Sequence, residues 1–158
     1  MTRTLPQRSA LVVLLLSLVV APAASARTDS AARLQMAWPA SGTVTSHYGE
    51  WRGSRRHDGI DIGMLRTLRL RAVTAGVVRK TGYVPGYAGY GNVVVLALPG
   101  GYSALYAHLS QVGVKPGQRV RKGQRIGLAG CTGSCSGTHL HFEVHRKGRS
   151  VNPLRFLG

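Results

Sequence analysis

The chain predicts an all-β fold, an antiparallel sheet or sandwich, on three observations. After the first 26 residues no long segment keeps a 3.6-residue apolar period. Short β-branched or alternating runs recur instead, as in Asn92 to Leu98. Gly and Pro punctuate these runs, most clearly at Pro99-Gly100-Gly101, Val114-Lys115-Pro116-Gly117 and Lys147-Gly148, which turn one strand back on the next.

Residues 1–26 are expected to be an address and not part of the fold. Arg3 and Arg8 form a positive start, Ala10 to Val20 is apolar, and Ala24-Ser25-Ala26 supplies small residues for cleavage. That is the pattern of a secretory signal peptide, cut after Ala26. The apolar stretch is short of the ~20 residues of a membrane span, so the exported chain is not expected to be an integral membrane protein. No cysteine near the cut offers a lipid attachment point. Residues 27–37 read as a polar, alanine-rich lead-in, at most one short helix. Residues 38–158 form a single domain, expected to act as a monomer.

Within that domain Val44 to Tyr48 is short and alternating, and Gly49 to Arg56 is a basic loop delivering His57. Leu70 to Val78 alternates loosely around Gly76. Tyr83 to Gly91, rich in Gly and Tyr, is a loop. Asn92 to Leu98 and Tyr102 to Leu109 form a hairpin, Gln118 to Ala129 is a further strand region, and Thr138 to His145 is the last long strand.

Charge limits the partners. The formal charge is +16 from 21 Lys and Arg against five acids, and loss of Arg3 and Arg8 would leave +14. Such a field favours anionic envelope polymers or lipid headgroups. Nucleic acid is not expected, because export removes the chain from it. Cys131 and Cys135, the only cysteines, are expected to pair in an exported protein and to brace the loop before His139. Zinc binding by the two thiolates is the alternative, but a structural site would need a second ligand pair.

Two runs carry chemistry. His57-Asp58-Gly59-Ile60-Asp61 and His139-Leu140-His141 lie about eighty residues apart and together offer four candidate ligands, His57, Asp61, His139 and His141. On a strand, His139 and His141 share a face. Gly59 lets the backbone bend or pack closely, so that His57 and Asp61 can converge on one ion. A catalytic zinc uses three protein ligands and keeps the fourth position for water, so one candidate serves another purpose. A lone H-x-H equally fits buried, hydrogen-bonded histidines; the two runs together are the stronger sign.

These and other segments resemble the zinc metallopeptidases of the lysostaphin and LytM type, peptidase family M23, which act on bacterial peptidoglycan. The likeness runs from about Trp38 to Leu157. It rests on Trp38-Pro39, Tyr48-Gly49, the His57–Asp61 run, Ala75-Gly76-Val77-Val78, Gly89-Tyr90-Gly91-Asn92, Tyr106-Ala107-His108-Leu109-Ser110, Gly123-Gln124, His139-Leu140-His141-Phe142-Glu143-Val144 and Val151-Asn152-Pro153. The resemblance implies an antiparallel β fold with an open groove, one Zn2+ held by His57, Asp61 and His141, and catalytic roles for His108 and His139. Three departures concern loops around the groove: Arg69-Leu70-Arg71 replaces the usual Gly-Thr-Pro, Thr138 stands where proline is common, and Cys131 where serine is common.

The implied activity is an exported, periplasmic or secreted zinc endopeptidase cutting peptides of peptidoglycan. There is no H-E-x-x-H helix, so imidazole replaces the glutamate base of those enzymes. Glu143 shares parity with His141 and is placed to orient it, or is an ordinary strand-end glutamate. Tyr48 and Tyr106 fit core packing better than oxyanion donation, and His47 and His145 are expected to be solvated. The alternative is a non-catalytic envelope-binding or amidase-activating module, since many relatives have lost ligands; here all five positions are filled.

Overall fold

The computed structural model describes residues 34–158 and Met1. The signal peptide and residues 27–33 of the lead-in lie outside the described residues. Eleven strands follow: β1 (Ser41–Ser46), β2 (Ile60–Thr67), β3 (Arg69–Arg71), β4 (Gly76–Gly82), β5 (Val93–Leu98), β6 (Tyr102–Ala107), β7 (Leu109–Val112), β8 (Arg119–Val120), β9 (Arg125–Ala129), β10 (Leu140–Arg146) and β11 (Arg149–Val151). Every pairing between them is antiparallel. The larger sheet runs β1-β2-β10-β6-β5-β4-β8, with β11 also on β10; the smaller runs β3-β9-β7. No helix among the described residues is long and apolar enough to cross a membrane.

Strand parity decides what each face of the larger sheet buries. Ile60 and Ile62 of β2, Val94 and Leu96 of β5, Ala104 and Tyr106 of β6, and Leu140, Phe142 and Val144 of β10 enter the main core. Leu70, Leu109, Ile126 and Ala129 of the smaller sheet meet them there. Tyr106 and Phe142, opposite one another in register, pack edge to face at 5.2 Å. The other face of β5 and β6 carries a second cluster, Val93, Val95, Leu105 and Ala107, roofed by Val84, Tyr87 and Tyr90 of the 83–91 loop. Burial on both faces explains the unbroken apolar run Val93-Val94-Val95-Leu96. On β2 and β10 that second face holds Asp61, His141 and Glu143, all buried.

Several long sequence runs divide in the fold. Tyr102 to Leu109 is not one strand: His108 takes φ +62°, and the chain leaves the larger sheet there to enter the smaller. Leu70 to Val78 breaks after Arg71, because β3 and β4 belong to different sheets. Gln118 to Ala129 likewise splits at a turn with Gly123 at φ +77°. β2, which carries Asp61, had no clear alternation to announce it; Met64 at φ +46° and register shifts against β1 disturb its period. The described end of the lead-in is extended: Met36 bridges Leu157 and is fully buried.

The Cys131–Cys135 disulfide is present, with Cα atoms 5.5 Å apart. It closes a small ring around Thr132, whose hydroxyl accepts from the Asn92 N–H (2.9 Å) and donates to the Leu109 carbonyl (2.9 Å). Reduction should therefore lower global stability by no more than ~2 kcal/mol on the loop-entropy relation. Its main effect should be faster amide exchange across residues 131–138. Hydrogen exchange and thermal melts with and without reductant test this; cooperative unfolding on reduction would contradict it.

Candidate metal centre

Asp61 of β2 pairs in register with His141 of β10, which pairs in turn with Ala107 of β6. One strand contact thus sets a carboxylate beside an imidazole on the face away from the main core. His57 arrives from the loop before β2, pinned by mutual backbone bonds with Gly49 and Glu50 (both 2.8 Å). Gly59 sits hard against β10: a Cβ there would collide with the carbonyl oxygen of Phe142. This is the close packing expected of Gly59, and it lets His57 fold over Asp61.

The result is a triangle. His57 Nε2 lies 3.0 Å from His141 Nδ1 and 3.2 Å from Asp61 Oδ1, and His141 Nδ1 lies 2.9 Å from Asp61 Oδ1. The second nitrogen of each ring fixes its tautomer. His57 Nδ1 donates to the His47 carbonyl (2.9 Å), and His141 Nε2 donates to Glu143 Oε1 (2.8 Å). The other nitrogen of each ring therefore faces the triangle, where its lone pair is available to a metal ion, and Asp61 adds carboxylate density. Burial alone would raise the Asp61 carboxyl, but the neighbouring His141, His57 and Arg52 side chains outweigh it and hold the group ionised, well below the usual carboxylate range. Two lone pairs and an anionic oxygen within about 3 Å of one another call for a cation or a shared proton. His57, Asp61 and His141 are a group able to hold a metal ion, and N/N/O is a donor set of open catalytic sites.

Glu143 is the hub behind the triangle, 2% exposed. Besides His141 it accepts from the Tyr90 hydroxyl (2.6 Å) on Oε1 and from His145 Nε2 (2.5 Å) on Oε2. Burial opposes its ionisation, yet these three donors hold the carboxyl far below its ordinary range. Burial likewise pushes the proton off His141, but Asp61 and Glu143 together raise its affinity for one. His145 is thus not solvated as the sequence suggested: parity with Glu143 places it against that carboxylate, which raises its pKa. His47 is exposed beside Glu50, and its contribution is its carbonyl.

His108 and His139 flank the triangle, their rings 4.8 Å apart. Nδ1 of His108 donates to the Thr132 carbonyl (2.8 Å), and Nδ1 of His139 to the Gly137 carbonyl (2.7 Å). Both rings therefore keep Nε2 as the basic atom; that of His139 lies 3.9 Å from Asp61 Oδ1. Burial is the main cause lowering the proton affinity of His108. The left-handed backbone of His108 costs a non-glycine residue about 1 kcal/mol or more. Tyr48 bonds the Ser150 carbonyl and Tyr106 the Val73 N–H, so both hydroxyls belong to packing, as expected.

Sequence reasoning missed two members of the site. Arg52 donates to Asp61 Oδ2 and to Ser46 Oγ, and Tyr90 bonds Glu143. Both sit on loops. A cleft of about 230 Å³ opens over the centre between Arg52, Arg55, Tyr90, His108 and Ser134.

Fold and donor set define a class: an antiparallel β domain whose buried His-Asp-His centre can hold a metal ion beneath a cleft. The chain belongs to peptidase family M23, whose profile matches residues 55–153. It is 38% identical over 136 residues to a murein hydrolase activator, NlpD, of Salmonella dublin, covering 86% of this chain and 35% of that protein. It is 43% identical over 99 residues to a peptidoglycan DD-endopeptidase, ShyA, of Vibrio cholerae, covering 63% and 22%. A zinc-containing peptidase from Vibrio cholerae has the same fold, with a TM-score of 0.65, 30% identity and coverage of 76% and 38%. The chain spans about a third or less of the length of these two curated relatives.

Proposed function

We propose that the chain is an exported zinc endopeptidase that hydrolyses peptide cross-links or stem peptides of bacterial peptidoglycan. The observation that carries this reading is the convergence of His57, Asp61 and His141 on one triangle with His108 and His139 beside it. His57, Asp61 and His141 would hold the ion. When bound, zinc would supply Lewis acidity to the scissile carbonyl and lower the pKa of water. Asp61 brings the one negative charge of the ligand set, and Glu143 fixes the His141 tautomer from behind. His108 and His139, anchored through Nδ1, use Nε2 to take a proton from the attacking water or to donate to the developing oxyanion. The identity to ShyA and the zinc-containing structural relative support this chemistry. Purified protein should release soluble fragments from murein sacculi and stop on chelation. Zinc-loaded protein that leaves sacculi and cross-linked muropeptides intact would refute the reading.

The likeness to NlpD favours a second reading, a non-catalytic activator in the envelope. It predicts sacculus binding with neither turnover nor stoichiometric zinc, and metal analysis separates the two.

A further inference from the structure

All four side-chain carboxylates among the described residues already have partners. Ser46 and His47 engage Glu50, Arg55 and Ser150 engage Asp58, and Asp61 and Glu143 belong to the centre. None reaches Arg66, Arg69 or Arg71, which are all exposed. These three arginines line a groove of about 450 Å³ at the β1/β2 edge, together with Trp38, which is 42% exposed. Arg71 also donates to the Gly123 carbonyl (2.9 Å), tying the groove to the turn that bears Arg121 and Lys122. Arg66 lies five residues along β2 from Asp61, no more than ~18 Å of chain.

We propose that this groove is a second binding site, for a carboxylate-bearing glycopeptide strand of the same polymer whose peptides the centre cuts. The assignment rests on the endopeptidase reading for the identity of the polymer, and on the groove itself for the binding. Guanidinium groups grip planar carboxylates bidentately, and an exposed indole offers an apolar, π-rich wall to a sugar ring or peptide. The groove is concave, which fits a strand and not a flat lipid surface. With Arg66 no more than ~18 Å of chain from Asp61, a polymer held in the groove would raise the local concentration of scissile bonds around the centre without the groove touching them.

Co-sedimentation of the full chain with purified sacculi at low salt tests this, comparing wild type with R66Q/R69Q/R71Q and with the control R79Q/R149Q/R155Q, which removes the same charge from exposed positions elsewhere. The groove variant should bind sacculi roughly tenfold more weakly, W38A should also weaken binding, and the control should stay near wild type. Hydrolysis of sacculi by the groove variant should show a raised KM, while cleavage of a small soluble cross-linked muropeptide is unchanged. Equal losses in groove and control variants would reduce the effect to net charge and overturn the site. So would unchanged sacculus binding accompanied by lost retention on phosphatidylglycerol vesicles, which would make it a lipid site. Failure of the wild type to cleave the muropeptide would sink the endopeptidase reading alone, since the binding comparison needs no turnover.

Discussion

His141→Ala is expected to lose zinc and activity together, whereas His139→Ala keeps near-stoichiometric zinc and loses ~10²-fold or more in rate. The two residues stand two apart in the chain, and geometry separates them. His141 Nδ1 is within 3.0 Å of both other donors of the triangle, and its Nε2 is already bonded to Glu143. Removing it leaves a two-ligand site, short of the three protein ligands typical of catalytic zinc. His139 Nε2 stands 3.9 Å from Asp61 Oδ1 and lies outside the His57–Asp61–His141 ligand group. For His108 the informative replacement is His108→Asn, because asparagine tolerates the left-handed backbone that residue adopts. It should behave like His139→Ala. Zinc content and rate measured on folded, purified variants decide the matter: metal lost from His139→Ala but retained by His141→Ala would reverse the assignment.

Local periodicity made much of this site legible. The period-two rule places His139, His141 and Glu143 on one side of the strand, and His141 and Glu143 do meet through a 2.8 Å bond. The apolar run ending at Pro99 announced β5 and its hairpin partner, and Gly59 announced a close approach. What escaped the sequence lies where no period operates. Arg52 and Tyr90 belong to loops: Arg52 reaches Asp61 from the irregular turn nine residues upstream, and Tyr90 comes to Glu143 only after strands far apart in sequence are laid side by side. His145 was misjudged because a histidine near a strand end looks solvated until its cross-face neighbour is known to be a buried carboxylate. The breaks at His108 and Arg71 mark passages between sheets, which are a tertiary property invisible to local propensity.

Glu143 gives the second large effect, and two substitutions separate its charge from its bonds. Glu143→Gln keeps the shape and an oxygen able to accept from His141 Nε2 and the Tyr90 hydroxyl, while its amide can face His145. Only the charge is lost, so the His141 ligand becomes less basic and zinc affinity should fall ~10-fold, the lower end for partners of a ligating histidine. Glu143→Ala also strands a buried His141 N–H, a Tyr90 hydroxyl that is held today at 2.6 Å, and His145. It should cost ~3 kcal/mol or more of stability, the scale for breaking a buried charged network by removing one partner, and lower zinc affinity ~100-fold. His145→Ala, which removes a half-buried partner on the far oxygen, should leave zinc affinity within a fewfold of wild type. Zinc competition titrations and denaturant melts on the three variants are sufficient. If Glu143→Ala lowers stability while zinc affinity stays at the wild-type value, Glu143 is packing alone, and the orientation of His141 must come from Asp61 and the β2–β10 register.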